Sequence, residues 1–281
     1  MAQRTILITG ASDGIGAAAA RQLAPEGHRL LLVGRSAEKT ARVADEVGAE
    51  HFVADFARLE DVRRLAAEIR SAVDHLDVLA NNAGGIFGRH TLTEDGNELT
   101  LQVNHLAPFL LTHLLLDLLQ AGEGTVVNTS SSAARRLSRL ATVDDLGSAA
   151  SFSANRAYGD AKLANMLFTR GLQARFGPVG IDSVAFDPGN VRTNFAAESS
   201  SILRFVYRTP LSRLILISPE RGGSNLTFFV DGTPGTTWLP GRFYTQTTLA
   251  TERETNPRVH DDALVDAVWR RSAELVGVPV A

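Results

Sequence analysis

The run YGDAK places a phenol and a primary amine, Tyr158 and Lys162, four residues apart. On a helix that spacing puts both side chains on one face, so they can enter the same cleft. A phenol with an ordinary pKa near ~10 is a poor acid or base at neutral pH, and a neighbouring ammonium brings it toward working range by favouring the phenolate. A Tyr four before a Lys often arises by chance. The pair therefore takes its meaning from its surroundings, beginning with the serine-rich run VVNTSSSAA, whose Ser131 lies 27 residues upstream of Tyr158.

A second chemical signal stands near the start. An apolar run leads straight into TGASDGIG: Gly10, Ser12, Asp13, Gly14, Ile15 and Gly16, followed by a helical pattern. Glycines here let the backbone turn tightly and approach a pyrophosphate, while the helix N-terminus offers unpaired N–H groups to the anion. The spacing is Gly-x3-Gly-x-Gly, which differs from the GxGxxG form, and a plain strand-to-helix turn is the bland alternative. At the end of the next strand, where an acid would receive a free ribose 2′-hydroxyl, LLVGRS presents Arg35. A guanidinium suits a 2′-phosphate, which favours NADP(H) over NAD(H). Arg35 could also be a solvated surface charge, and Asp13 inside the glycine turn weighs against a phosphate-selective site. Asp55, followed by Phe56, could accept from an adenine amino group or cap the helix beginning near residue 58. The run NNAG, Asn81 to Gly84, could tie strand ends together and leave room at Asn82, Ala83 and Gly84 for a ribose and ring, or could be a mere turn.

These residues need elements to hold them. Residues 5–9, 29–33, 51–54, 76–80, 125–129 and 181–186 read as buried strands. Residues 15–25, 37–47, 59–73, 94–119 and 156–176 read as helices between them. Apolar strands separated by helices predict a parallel sheet covered on both faces, the doubly wound α/β (Rossmann) architecture, with ligands beyond the carboxyl ends of the strands. No linker divides the first 190 residues, and a single dinucleotide-binding domain over 1–281 is expected. After Asn190 the alternation stops. Residues 194–217 form an irregular, partly apolar stretch, a candidate substrate lid, followed by a helix over 219–230, a short strand near 242–244 and a terminal helix over 261–275.

Composition narrows the functions. The chain has 281 residues, 44% of them apolar, enough for one large core, and its net charge of −3 with scattered basic residues argues against a nucleic-acid partner. It has no cysteine, which excludes disulfides, thiolate metal sites and cysteine nucleophiles. Its seven histidines occur without an HExxH pair, so no metal site is expected. The opening apolar run is too short for a signal peptide and no later one reaches the roughly 18 residues of a membrane span. A cytoplasmic protein is expected.

TGxxxGIG, NNAG, Asn104 in LQVNHLAPFLLT, the serine-rich strand end, YxxxK and PGNVRT occur in the order and approximate spacing of the short-chain dehydrogenase/reductases, which this sequence resembles over essentially its whole length. YGDAKLANMLFTRGL, PGNVRTN, PGRFY and WRRSAELVG look like the branch of the retinol dehydrogenases and WW-domain oxidoreductases. The resemblance implies a hydride transfer between a nicotinamide and a carbonyl or alcohol. Tyr158 would be the general acid/base, and Lys162 would depress its pKa and hold the nicotinamide ribose. Ser131 would bind the substrate oxygen, with Ser130 and Ser132 as rivals, and Asn104 would hold a water linking Lys162 to solvent. Pro188, Gly189, Val191 and Thr193 would line the nicotinamide carboxamide. Ala161 departs from the serine frequent before the lysine. The missing cysteine argues against the related protochlorophyllide reductases. An NADP(H)-sensing regulator on the same fold is the alternative function. In the family the helices around 95–119 and 156–176 often pair across a dimer, and both look too apolar for exposure, so a homo-oligomer is expected. Residues 201–217, with three arginines among apolar residues, could instead lie on a membrane surface.

Overall fold

The strand that leads into the glycine turn, β1 (Thr5–Thr9), is buried along its whole length, because its neighbours and the helices on both sides leave no face to water. The structure, a computed structural model, describes residues 3–149, 152–189 and 217–280. The chain runs through α1 (Gly14–Leu23), β2 (Arg29–Gly34), α2 (Ala37–Val47), β3 (Glu50–Val53), α3 (Leu59–Ala72) and β4 (Val78–Asn81). A composite helix follows: α4 (Leu99–Leu101), a π turn (Gln102–Leu106) and α5 (Ala107–Leu114), then α6 (Leu116–Ala121). Next come β5 (Thr125–Thr129), α7 (Ala133–Arg136), α8 (Ala154–Phe176) and β6 (Asp182–Asp187). The described chain closes with α9 (Pro219–Asp231), β7 (Phe243–Thr245), β8 (Thr248–Leu249) and α10 (Asp262–Val276).

The eight strands form one sheet in the order β3-β2-β1-β4-β5-β6-β7-β8, parallel throughout except for the antiparallel β7–β8 pair. The chain moves outward from β1 through β3 and returns to β4 on the other side of β1. That reversal opens a crevice beyond the ends of β1 and β4. Strand residues alternate between two cores: Ile6 and Ile8 pack with α1, α2 and α9, while Leu7 faces α3, α5, α8 and α10. The alanines Ala17 to Ala20 make α1 narrow, and a Cβ on Gly223 of α9 would stand 2.8 Å from Ala18 Cβ. This close crossing seats the glycine turn on the sheet.

Several expectations change. The helix expected over 94–119 starts at Leu99, because Glu98 caps it by accepting from Thr100 N and Leu101 N at 2.9 and 2.8 Å, while Gly96 takes a left-handed turn just before. It is then interrupted by the π turn and again at Leu115. Asp55 does not cap α3: its carboxylate accepts from Ala57 N at 3.0 Å, one turn early, and Leu59 N is satisfied by Asp95 instead. The strand expected to start at 76 starts at Val78, since Leu76 N is turned toward Leu118 O at 2.9 Å. The hairpin strand β8 was not expected.

The apolar outer faces of α5 and α8 are covered within the chain. Trp269 of α10 packs against Phe109, Phe168 and Phe176 with ring centroids 5.1, 5.7 and 6.1 Å away, and Arg175 lies over its ring at 4.6 Å. The apolar surplus that suggested a second copy is thus used by the terminal helix. The expected lid over 194–217 lies outside the described residues except Ile217, as do Val191 and Thr193. Among the described residues, no helix is long and apolar enough to cross a membrane.

Candidate active site

The crevice at the strand reversal is a cleft of about 620 Å3. Its floor is the glycine turn, where Gly10 (φ +68°) and Gly14 (φ +56°) occupy the left-handed region that side chains disfavour. Ser12, Asp13, Gly14 and Ile15 line it, and Asp13 caps α1 by accepting from Gly14 N at 2.7 Å. Gly16 lies behind this surface: a Cβ there would come within 2.5 Å of Gly10 O, so its part is to let the helix close on the turn. Asn82 braces the turn from the β4 side, donating through Nδ2 to Thr9 O at 2.9 Å, while Thr9 Oγ1 receives Asn82 N and Ala83 N at 3.0 Å each. Asn82, Ala83 and Gly84 also line the cleft, as do Asp55 and Phe56 at its far wall.

Arg35 sits at the mouth, exposed, where β2 ends. Beside it are Ser36 and Lys39, which sequence reading missed. Ser36 caps α2 by accepting from Lys39 N at 3.4 Å, so an N-terminal helix end, a guanidinium and an ammonium share one rim. Lys39 comes four residues after Arg35, a spacing that places the pair around the start of one helix and could have signalled it. Gly34 permits this arrangement, since a Cβ there would collide with Thr40 Oγ1 at 2.3 Å and Ser12 Cβ at 2.9 Å.

Tyr158 and Lys162 come together on α8 and do not line the cleft themselves; Lys162 lies behind Gly84 of its wall. Lys162 Nζ is 5.5 Å from the Tyr158 ring centroid and donates to Thr129 O at 3.0 Å. Both side chains are buried. Burial pulls the Lys162 ammonium down to about 7, against the opposing attraction of the Asp187 carboxylate. Gly84 closes against this pair: a Cβ there would stand 2.6 Å from Asn104 Oδ1 and 3.4 Å from Lys162 Nζ. Asn104, in the π turn, is fully buried, receives Gly85 N at 3.1 Å and donates to Gly85 O and Thr100 O at 2.8 Å each. Its side chain thereby fixes the NNAG segment beneath Lys162.

The three serines separate by their contacts. Ser130 is buried with its hydroxyl donating to Lys162 O at 2.8 Å, and Ser132 Oγ receives Arg136 Nη2. Ser131 is half-buried and, among the described residues, its Oγ accepts from Ala133 N at 3.2 Å and donates to none of them. Asn128 belongs to the sheet interior, linked to Asn81 and Thr169 at 3.0 Å. Asp187, which sequence reading passed over, joins two strand ends: it accepts from Ser132 N at 2.8 Å and Gly189 N at 2.9 Å. Pro188 follows it with its carbonyl held by Asn225 Nδ2 at 3.0 Å, and Gly189 turns at φ +89°.

A buried phenol beside a buried amine and a glycine-lined cleft with a basic mouth suit a dinucleotide and a proton transfer. The sequence model of the short chain dehydrogenase family matches residues 4–202. A Streptomyces sp. (strain C5) protein with the provisional name daunorubicin C-13 ketoreductase DnrU is 38% identical over 282 residues, covering 98% of this chain and 93% of that one. Human retinol dehydrogenase 13 is 32% identical over 286 residues, covering 98% and 85%. A crystal structure of an uncharacterized Mycobacterium paratuberculosis protein superposes with a TM-score of 0.78 at 29% identity, covering 100% of this chain and 96% of that one. This chain belongs to the short-chain dehydrogenase/reductase superfamily, in its retinol dehydrogenase-like branch, a family whose members transfer hydride between a nicotinamide cofactor and CH–OH or C=O groups.

Proposed function

We infer that the chain is an NADP(H)-dependent oxidoreductase that interconverts a carbonyl and its alcohol, with apolar carbonyl compounds as preferred substrates. One observation carries the reading: a single glycine-floored cleft has a rim of Arg35, Ser36 and Lys39 at one end, and the wall nearer the buried Tyr158–Lys162 pair is formed by Gly84. Gly10, Ser12, Gly14 and Ile15 would hold the pyrophosphate at the N-terminus of α1. Arg35 and Lys39 would hold a 2′-phosphate, Asp55 and Phe56 the adenine, and Ala83, Gly84 and Lys162 the nicotinamide ribose. When bound, the nicotinamide supplies the hydride.

The protein's own groups manage the oxygen. Tyr158 and Ser131 donate to the substrate oxygen and stabilise the charge that grows on it, and Tyr158 gives up its proton to complete the alcohol. Lys162 holds the phenol in working range while charged, and Thr129 O and Gly84 fix where that charge stands. Apolar residues Ile86, Phe87, Leu99 and Val103 line the adjoining cleft wall, which supports a preference for apolar substrates, as do the names of a ketoreductase and a retinol dehydrogenase among the relatives.

The test is binding and turnover with NADPH and NADH separately, against a panel of hydrophobic aldehydes, ketones and quinones and of small hydrophilic carbonyls. NADPH should bind at least tenfold tighter than NADH, and the hydrophobic panel should give the higher kcat/KM. Equal binding of the two cofactors would defeat the 2′-phosphate assignment. Binding of NADPH with no turnover of any carbonyl would defeat the enzymatic one.

A further inference from the structure

Behind Lys162 lies a buried polar chain that the proton transfer does not itself use. Asn165 Nδ2 stands 3.0 Å from Asn104 O and 3.3 Å from Thr129 O, the carbonyl that also receives Lys162 Nζ. Asn165 Oδ1 is 3.1 Å from His105 Nδ1, and His105 Nε2 is 2.8 Å from Ser272 Oγ. Asn165 is buried, and His105 and Ser272 are completely so. Ser272 belongs to α10, outside residues 4–202 that match the family.

The hydrogen-bond direction along this chain is determined step by step. The carbonyls of Asn104 and Thr129 can only accept, so the atom facing them is the amide nitrogen of Asn165. Its oxygen must then face His105, and an oxygen with no proton requires a donor, which makes His105 Nδ1 the protonated ring nitrogen. Burial pulls the imidazolium down to about 4, so the ring is neutral near pH 7 and Nε2 is an acceptor. Ser272 therefore donates. Each member is satisfied in one arrangement, and reversing any link leaves a buried group unpaired.

We propose that Asn165, His105 and Ser272 form a positioning relay through which α10 fixes Thr129 O, the carbonyl that receives Lys162 Nζ, relative to the carbonyl of Asn104. This inference rests on the oxidoreductase reading for its catalytic consequence. Thr129 O ends β5 and carries the ammonium, while Asn104 O belongs to the π turn that supports Gly85 and Gly84. Asn165 bridges them and sets their separation. The distance from Lys162 Nζ to the Tyr158 ring is thus governed by a serine on a helix that packs on the far side of α8. Without the bridge the ammonium has a wider range of positions, and its electrostatic support of the phenolate weakens. Among the described residues, the charged or titratable groups that act on Lys162 are Tyr158, Asp187 and His105.

Two measurements test the relay. In nitrogen-15 NMR of histidine-labelled full-length chain at neutral pH, assigned by loss of the signal in His105→Gln, His105 should appear as the neutral Nδ1–H tautomer. An Nε2–H tautomer or an imidazolium would overturn the assignment, whatever the activity. In NADPH-dependent reduction of the aromatic ketone or aldehyde that the wild type turns over fastest, Asn165→Leu should lower kcat about tenfold. It should also raise the alkaline pH midpoint of kcat/KM by about one unit. Ser272→Ala should shift the midpoint in the same direction by a smaller amount, and it carries this arm alone if Asn165→Leu fails to fold. A midpoint that stays fixed in a folded variant, with kcat reduced equally at every pH, would reduce the chain to a structural contact. No turnover by the wild type would defeat the oxidoreductase reading, and the tautomer would still decide the direction of the relay.

Discussion

Lys162→Met should make the cofactor-free protein more stable at neutral and acidic pH, because the lysine stands where an ammonium is poorly solvated. Lys162 is 2% exposed, and burial lowers its pKa from 10.5 to about 7. Between those values the unfolded chain carries a proton that the folded chain has released, so the stability tied to this group rises with pH across that window and is lowest below about pH 7. At about 1.4 kcal/mol per pH unit, burying this lysine costs the fold on the order of 5 kcal/mol near pH 6, where the charge is kept, and about 2 kcal/mol near pH 9, where the folded side chain has given up a proton that the unfolded one holds. Methionine fills most of the side chain's length without the charge. It forfeits the hydrogen bond to Thr129 O, worth about 1 kcal/mol, but that carbonyl keeps Asn165 Nδ2 at 3.3 Å. Urea unfolding of wild type and variant near pH 6, 7.5 and 9 should therefore show a gain of about 3–4 kcal/mol that shrinks to about 1 kcal/mol at the alkaline end. A variant less stable than wild type near pH 6, or a gain that does not change with pH, would refute the reasoning.

Arg35→Asp should shift cofactor preference from NADPH toward NADH by tenfold or more, and Lys39→Ala should weaken NADPH binding with little effect on NADH; competitive binding of the two cofactors reads both. Gly84→Ala should cost about 2–4 kcal/mol and lower kcat, because its Cβ would fall 2.6 Å from Asn104 Oδ1 and displace the Gly85 contact. Thermal unfolding together with kcat reads that change, and a wild-type Tm would show that Asn104 yields freely. Buried His105 resists protonation down to about pH 4 while the unfolded chain takes the proton near 6.5, so stability should fall as pH drops through that interval by up to ~3 kcal/mol. Urea midpoints for His105→Gln should show a flatter acid limb than wild type.

The sheet was readable from sequence because its strands are buried on both faces. Apolar runs at 5–9, 29–33 and 125–129 could hardly be anything else once helical runs separated them, and β1, β2 and β5 cover them. Tyr158, Lys162 and Ser131 stood out as candidates because residue type, helical spacing and strand end agreed, and the structure brings Tyr158 and Lys162 together. What escaped depends on tertiary contact. Apolar periodicity over 94–119 could not show the π turn that turns Asn104 toward Gly85, since a π turn leaves the composition unchanged. The terminal helix was expected, but nothing in its pattern told that Trp269 would fill the aromatic face of α5 and α8. Asp187 fell one residue past the strand expected over 181–186, and only the fold brings the N–H of Ser132 to it. Lys39 was absorbed into the polar face of α2. Asn165 and His105 read as ordinary helix residues until their partners, 61 and 167 positions away, were in place.

The account stands most directly on Tyr158 as the proton donor. Tyr158→Phe preserves the ring beside Lys162 and removes only the hydroxyl, so NADPH should bind with a dissociation constant within about twofold of wild type while kcat for carbonyl reduction falls by ~10² or more. Single-turnover oxidation of bound NADPH by the preferred carbonyl, followed in both proteins, measures the step itself. Retention of near-normal turnover by the phenylalanine variant would contradict the account.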